Sequence, residues 1–243
     1  MNTNMPFFIT DLDKFANDLQ ILFDTYGFGQ DEREYILKYI YDDKCINYDL
    51  LQQVYTVLGV LPEEYSSFKT FYDFLNKYYN LGTNVIDVAS GHLPILASFI
   101  DKYQTKVGQG SIEAYDPNLL PKEMGNIKIY QDYFDEKIKI NDKGLIVGMN
   151  TAEALIPSII HANNYGVDAC FLTCNCTALP SDIARRLSAY PRSYILDYWF
   201  NYVGEEITKN LPSDKELVVE HLDLGAMRPH PVYMTKSLKI KKP

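Results

Sequence analysis

Three aspartates lie at or just after short apolar runs: Asp87, Asp116 and Asp132. The runs are NVIDVA (84–89), SIEAYD (111–116) and IKIYQ (127–131). If the runs are parallel strands, the acids stand near strand ends, where open α/β sheets bind their ligands. Asp116 follows Gly91 by about 25 residues, the place from which a carboxylate reaches a ribose diol. Asp132 lies beside the ring of Tyr133 and is suited to an adenine base, so the three acids predict a nucleoside ligand.

A turn containing one glycine follows the first run. Gly91 lets the backbone approach a ligand closely, and Pro94 suits the first turn of a helix whose N-terminal amides attract anions. The GxGxxG pattern of dinucleotide sites is not met, because Ala89 and Pro94 occupy its outer positions. The segment alone is equally consistent with a tight turn that binds nothing. His92 is a candidate base in this loop or a solvated histidine.

The apolar runs indicate a sheet that must position these residues. Two more follow the first three, GLIVGM (144–149) and DACFLT (168–173). Runs this short, with helix-length amphipathic stretches between several of them, predict a doubly wound parallel sheet. After a long helical segment over 193–209, ELVVEHL (216–222) and PVYMTKSL (231–238) are joined by a short turn and must pair antiparallel. The predicted fold class is α/β, mostly parallel, with a C-terminal antiparallel hairpin.

Residues 1–80 carry helical periodicity instead. Apolar side chains recur there at spacings of three and four, as in Phe15, Leu19, Leu22, Phe23 and Tyr26, and the segments 31–41, 48–58 and 62–79 repeat the pattern. We therefore expect a helical domain over 1–80 and a sheet domain over 81–243. Almost no linker separates them, so the helices should pack against the sheet domain, where they cover the substrate side or form a dimer face.

The composition of the chain excludes several classes of protein. The 243 residues are 47% apolar and 23% charged, which is typical of a globular chain with a real core. No export signal opens the sequence and no stretch approaches the roughly 18 apolar residues of a membrane span, so we expect a cytoplasmic protein that does not insert into a membrane. In that reducing compartment the four cysteines are thiols.

The net charge of −9 is unevenly distributed. Residues 1–82 hold 13 acids and 6 bases, which gives −7 and leaves −2 for the rest. This balance disfavours a nucleic-acid partner, because such binding comes largely from Lys and Arg. Any such contact would have to use the later part of the chain. There Arg185, Arg186 and Arg192 are expected to be a solvated face rather than a phosphate-contacting rim.

The strand-end acids resemble those of Rossmann-like S-adenosylmethionine-dependent methyltransferases. In that family an acid and a glycine loop end the first strand, an acid after the second binds ribose, and an acid after the third binds adenine. The terminal hairpin is similar to the family's sixth and seventh strands. The resemblance implies S-adenosylmethionine as the cofactor, held by Asp87, Ala89, Gly91, Asp116, Asp132, Tyr133 and Met149. Only one of the family's usual two or three loop glycines is present.

A finer resemblance links residues 144–157 and 169–180 to a methyltransferase branch that includes tRNA-modifying members. In that comparison Asn150, Thr151 and Glu153 stand at the turn after the fourth strand, and Cys174, Asn175 and Cys176 at the turn after the fifth. The catalytic candidates are His92, Asn150 and Asn175. Cys174 and Cys176 admit four interpretations: zinc ligands, a methyl-accepting or redox thiol, walls of the substrate pocket, or small apolar fillers. No second ligand pair at zinc spacing accompanies them, so no metal site is predicted.

Two alternatives to methyl transfer remain open. The loop after the first run resembles that of nicotianamine synthases, which transfer the aminobutyrate arm of the same cofactor and also carry a helical N-terminal domain. The other alternative is a non-catalytic nucleoside-binding or interaction module. The sequence does not name the acceptor, whether a small molecule or a macromolecule. Outside the candidate site, His161 is expected on a helix surface.

Overall fold

A computed structural model describes residues 12–25, 29–31, 33–34, 56, 66–104, 110–140, 144–173, 177–224 and 229–238. The helices in this part are α1 (Leu12–Thr25), α2 (Ser67–Tyr78), α3 (Ile95–Tyr103), α4 (Ala152–Asn164), α5 (Ser181–Leu187) and α6 (Arg192–Lys209). The strands are β1 (Asn84–Val88), β2 (Ile112–Tyr115), β3 (Ile127–Tyr130), β4 (Gly144–Met149), β5 (Asp168–Leu172), β6 (Lys215–Leu222) and β7 (His230–Ser237). None of the described helices is both long and apolar enough to cross a membrane.

The seven strands form one sheet in the order β3-β2-β1-β4-β5-β7-β6. β1 to β5 are parallel to their neighbours, and β7 is antiparallel to both β5 and β6. Parallel neighbours need a crossover, whereas the short connection from β6 to β7 permits only a hairpin. The predicted fold class is therefore confirmed, including the C-terminal antiparallel pair. The connections from β2 to β3 and from β3 to β4 contain no helix in their described residues.

Helices cover both faces of the sheet, so the five inner strands are buried almost continuously, whereas the edge strands β3 and β6 are partly exposed. On one face, α3 packs through Phe99 and Ile100 in a core cluster with Val85, Val147 and Cys170. On the other face, α4 and α6 contribute Leu155, Ile159, Ala162, Trp199, Val203 and Ile207. Burial on two faces explains why the strands are apolar runs without alternation.

The described N-terminal helices belong to the first of these two cores. Leu19 and Phe23 of α1 and Phe71 and Leu75 of α2 are buried in the cluster that contains Val85. α2 is also tied to the sheet by polar contacts.

Two tyrosines make those polar contacts. The Tyr78 hydroxyl donates to Glu220 at 3.4 Å, and that of Tyr79 donates to the carbonyl of Ala169 at 3.4 Å. The ammonium of Lys236 lies 4.3 Å from the centre of the Tyr78 ring. A boundary at residue 80 stays a prediction. Most of the helical segments predicted over 31–41 and 48–58 lies outside the described residues.

The expectation for His161 is wrong. Its side chain is buried, and its Nε2 lies 2.8 Å from the carbonyl oxygen of Ile138. The reason is that the described part of the connection from β3 to β4, residues 131–140, forms no helix and folds over α4 instead. Phe134 of that connection packs edge-on against the His161 ring. The histidine therefore fastens this connection to the helix.

Candidate functional site

The strand order reverses between β1 and β4, which makes this the switch point of the sheet. β1 is followed by α3 on one face, and β4 is followed by α4 on the opposite face. The two loops therefore diverge and leave a crevice at the carboxyl ends of these strands. In open α/β sheets this crevice is the place where ligands bind.

Backbone strain is concentrated at this crevice. Among the described residues, the non-glycine residues with positive φ are Ala89 (54°), Asn150 (61°) and Ala152 (32°). Ala89 follows β1, and the other two follow β4; Gly91, at φ 74°, adds a fourth left-handed residue. Such conformations cost of order 1–3 kcal/mol each for non-glycine residues and cluster at ligand sites. The two loops that flank the switch point are thus held in a shape that their sequence alone would not favour.

Asp116 connects the loops after β1 and β2. Its Oδ2 accepts a hydrogen bond from the backbone N–H of Gly91 at 3.0 Å, and its Oδ1 accepts one from the N–H of Asn118 at 2.7 Å. Its own N–H donates to the carbonyl of Tyr130 at 3.2 Å. The side chain is 9% exposed, so the carboxylate stands at the rim of the site rather than in solvent.

Asp87 is more deeply buried, with 2% of its surface exposed. Its Oδ2 accepts a hydrogen bond from the N–H of Ala97 in the first turn of α3, at 3.3 Å. Burial raises the pKa of Asp87 to about 7, although the hydrogen bonds from Ser90 and Ala97 oppose the shift. In this arrangement Asp87 supports the loop and the start of α3. Its direct contact with a cofactor stays a prediction.

The loop after β1 is fastened to the loop after β2 at several points. Ser90 donates its N–H to the carbonyl of Tyr115 at 3.3 Å, and Leu120 donates to the carbonyl of His92 at 3.0 Å. Burial lowers the pKa of His92, and Asp116 only partly opposes this shift. Burial therefore favours the neutral form of the imidazole. The structure places His92 beside Asp116, while its role as a base stays a prediction.

The residues after β3 are more exposed. Asp132 lies at the surface and accepts a hydrogen bond from the N–H of Tyr133 at 2.8 Å, and the Tyr133 ring is 72% exposed. The preceding Gln131 donates to the carbonyl of Leu119 at 2.6 Å and so ties this end to the loop after β2. Sequence reasoning missed Gln131, because a lone glutamine after a strand carries no pattern.

The end of β4 completes the crevice. Met149 is buried, and Asn150 is exposed with its N–H bonded to the carbonyl of Leu172 at 2.9 Å. Gly148 is required here, since a Cβ would collide with Thr151 and Phe171. Thr151 is 3% exposed, and its hydroxyl has no hydrogen-bond partner in the described part of the chain. A buried polar group without a partner is uncommon in native proteins and is consistent with an incomplete site.

The structure thus brings Asp87, Ala89, Gly91, His92, Asp116, Met149 and Asn150 to one edge of the sheet, and Asp132 and Tyr133 to the adjoining end of β3. Asn175, Cys174 and Cys176 lie outside the described residues. Among the residues that are described, no three His, Cys, Asp or Glu side chains are grouped to hold a metal ion. The prediction about zinc stays a prediction.

No protein-family model and no curated protein matches the sequence. Among solved structures, the plantazolicin methyltransferase BpumL in complex with SAH is similar over 90% of this chain and 99% of its own, with 13% identity and a TM-score of 0.47. A structure of the Pnkp1/Rnl/Hen1 RNA repair complex is similar over 97% of this chain and 58% of its own, with 13% identity and a TM-score of 0.44. A functionally unknown protein from Deinococcus radiodurans R1 is similar over 69% of this chain and 86% of its own length, with 13% identity and a TM-score of 0.42. At these scores the likenesses carry no functional argument, and the function must be argued from the residues.

Proposed function

We propose that this chain is an S-adenosylmethionine-dependent methyltransferase. One observation supports the proposal best: the strained residues Ala89, Asn150 and Ala152 all lie at the switch point of a seven-stranded sheet. Backbone strain persists where the surrounding structure enforces it, and it is found at ligand clamps and active sites. The acids at the same edge are those that a nucleoside ligand requires.

The carboxylate of Asp116 fits a ribose. An ionised carboxylate has about four lone-pair positions and donates nothing. One position on each oxygen is taken by the N–H groups of Gly91 and Asn118. The remaining positions suit the two hydroxyls of a ribose diol, and the existing bonds hold the carboxylate in a fixed orientation for them.

The other candidate residues are assigned to the rest of the cofactor and to the acceptor. We assign the exposed Asp132 and Tyr133 to the adenine base, and the loop from Ala89 to His92 to the amino-acid end of the cofactor. Met149 forms an apolar wall, and Asn150 faces the acceptor. When bound, S-adenosylmethionine supplies an electrophilic methyl group on a sulfonium. The protein then needs to align an acceptor and exclude water, which requires no catalytic triad.

Calorimetric titration with S-adenosylmethionine and with S-adenosylhomocysteine (SAH) tests the proposal. Asp116→Ala removes a charged acceptor, worth about 1.5 to 3 kcal/mol, and should weaken binding tenfold or more. Asp73→Ala removes an exposed carboxylate of α2 that pairs with Lys69, and it should leave the affinity unchanged. Absence of binding by the wild type, or equal affinities of the wild type and Asp116→Ala, would refute the assignment.

The products formed with a cell extract separate the alternatives. SAH supports methyl transfer. Methylthioadenosine would instead support aminobutyrate transfer from the same site. Binding without either product would leave a non-catalytic nucleoside-binding module.

A further inference from the structure

A surface at the junction of α5 and α6 combines exposed tyrosine rings with arginines. Tyr190 and Tyr194 are 51% and 49% exposed, and their rings stack on each other with centroids 4.8 Å apart and planes 23° apart. About half of the surface of each tyrosine is therefore accessible to a further aromatic ring. We call Arg185, Arg186, Tyr190, Arg192 and Tyr194 the junction surface.

The junction surface is held in place by local structure. The N–H of Tyr190 donates to the carbonyl of Leu187 at 2.9 Å, and the Ser188 hydroxyl donates to the carbonyl of Arg185 at 2.8 Å. Leu187 is buried and anchors the end of α5. The last turn of α5 and the first turn of α6 are therefore joined by a short connection, with Arg185 and Arg186 before it and Arg192 after it.

This corner lies at the same edge of the sheet as the candidate site. α6 connects the carboxyl side of β5 to the amino end of β6, so its first residues lie at the carboxyl edge. The hydroxyl of Tyr233, which is paired with Phe171 in the sheet, donates to the carbonyl of Phe200 at 2.6 Å. Tyr194 precedes Phe200 by six residues, or about 9 Å of helix. Since β5 ends only one residue beyond Phe171, the junction surface projects past the strand ends, where an acceptor must approach.

The charge of the junction surface is opposite to that of the whole protein. Residues 177–196 contain three arginines and one acid, Asp182, which lies 3.5 Å from Arg186 in an exposed pair. The chain as a whole carries −9. A polyanion is therefore repelled by most of the surface and attracted here. Asp197, the next acid along the chain, lies in α6 three residues after Tyr194, so three arginines and two acids leave residues 177–197 with a net charge of +1.

We propose that the junction surface binds single-stranded nucleic acid and presents it to the candidate site as the acceptor. The role as acceptor rests on the proposed methyltransferase function, whereas the binding itself does not. Arginines contact the phosphates, and bases stack on the open faces of Tyr190 and Tyr194. Proteins that bind single strands without reading sequence combine these two features. An acidic peptide offers the charge but lacks the planar rings that the tyrosines would stack against.

Fluorescence anisotropy with a labelled oligouridylate of about 12 nucleotides tests the binding on the full-length protein without S-adenosylmethionine. Arg185→Ala combined with Arg186→Ala should weaken binding at least about tenfold at roughly 50 mM salt. The slope of the logarithm of the binding constant against the logarithm of the salt concentration should become less steep by about 1.4, because two phosphate contacts are lost. The matched control replaces Lys137 and Lys139, two exposed lysines between β3 and β4, with alanine. It removes the same charge and should leave the affinity within about twofold of the wild type, because most of the salt-dependent affinity comes from direct phosphate contacts.

The tyrosine variants distinguish a nucleic acid from other polyanions. Tyr194→Ala should weaken binding at least about fivefold, and Tyr194→Phe, which keeps the ring, should bind like the wild type. The proposal is overturned if the wild type does not bind the strand, if the lysine control loses as much affinity as the arginine variant, or if Tyr194→Ala binds normally. Equal competition by oligoglutamate would overturn it in favour of an acidic peptide. If the wild type binds the oligonucleotide but does not bind S-adenosylmethionine, the proposed methyltransferase function is refuted, whereas the proposed nucleic-acid binding by the junction surface is supported.

Discussion

Asp87 is a buried carboxyl group whose protonation should affect stability. Its pKa in the folded protein is about 7, against about 3.9 for an ordinary aspartate. The folded state therefore binds this proton more tightly than the unfolded state does. The contribution of Asp87 to the free energy of unfolding falls as pH rises from about 4 to about 7 and is constant above that. The total decrease over this range is roughly 4 kcal/mol.

Asp87→Asn isolates this effect, because the amide does not titrate and its oxygen still accepts from Ala97. The stability of this variant relative to wild type should rise by roughly 2 to 3 kcal/mol from about pH 5 to about pH 8. Urea denaturation at several pH values measures it. Asp73→Asn, at an exposed ion pair, should follow the wild-type pH dependence. Parallel curves for Asp87→Asn and wild type would show that the buried carboxyl does not titrate near neutral pH.

Ala89 carries strain that glycine would release. A left-handed conformation costs an L-residue about 1–2 kcal/mol, and a glycine pays about 0.5–1 kcal/mol more entropy on folding than alanine. Ala89→Gly should therefore stabilise the protein by about 0.5 to 1 kcal/mol in urea denaturation. Ala154→Gly, inside α4, should destabilise it by about 1 kcal/mol. If the two variants change stability in the same direction, φ at Ala89 is not the source of the effect.

At the level of elements, α6 packs on the hairpin through a shared apolar core, and the hydroxyl of Tyr233 adds a hydrogen bond between them. Tyr233 is 2% exposed and donates to the carbonyl of Phe200 at 2.6 Å. Tyr233→Phe should lower the free energy of unfolding by about 1 kcal/mol, since it removes one buried hydrogen bond and preserves the ring. Tyr194→Phe, at an exposed position of the same helix, should change it by less than about 0.5 kcal/mol. Equal stability of Tyr233→Phe and wild type would contradict this view of how α6 docks.

The sheet could be predicted from sequence because strands that are buried on two faces appear in the sequence as short apolar runs. Each predicted strand lies within one residue of its observed bounds at either end. The site could be predicted only in outline. The acids could be placed at strand ends, but the strain at Ala89 and Asn150 and the unpartnered hydroxyl of Thr151 arise from tertiary packing. His161 was misplaced because a partner 23 residues earlier in the chain, Ile138, buries it.

At the level of the whole molecule, the two faces of the sheet share one set of strands. Leu75 of α2 is fully buried on one face, and Trp199, the only tryptophan of the chain, is 1% exposed on the other. Because neighbouring residues of a strand point to opposite faces, Ile146 and Val147 link the two cores directly. Loss of packing on the α2 face should therefore weaken the structure around Trp199.

Leu75→Ala tests whether the N-terminal helices and the sheet unfold as one unit. The substitution removes a buried leucine and should cost about 2–5 kcal/mol. If the two cores are cooperative, the fluorescence transition of Trp199 in urea shifts to lower concentration by the same amount as the circular dichroism transition. Ile21→Ala, at a position 62% exposed on α1, should shift neither transition by more than about 0.5 kcal/mol. A Trp199 transition that stays at its wild-type midpoint in Leu75→Ala would show that α2 belongs to a separately folding module. Removal of residues 1–80 would then leave the sheet intact, whereas we expect it to expose the apolar face that α2 covers and to destabilise the remainder.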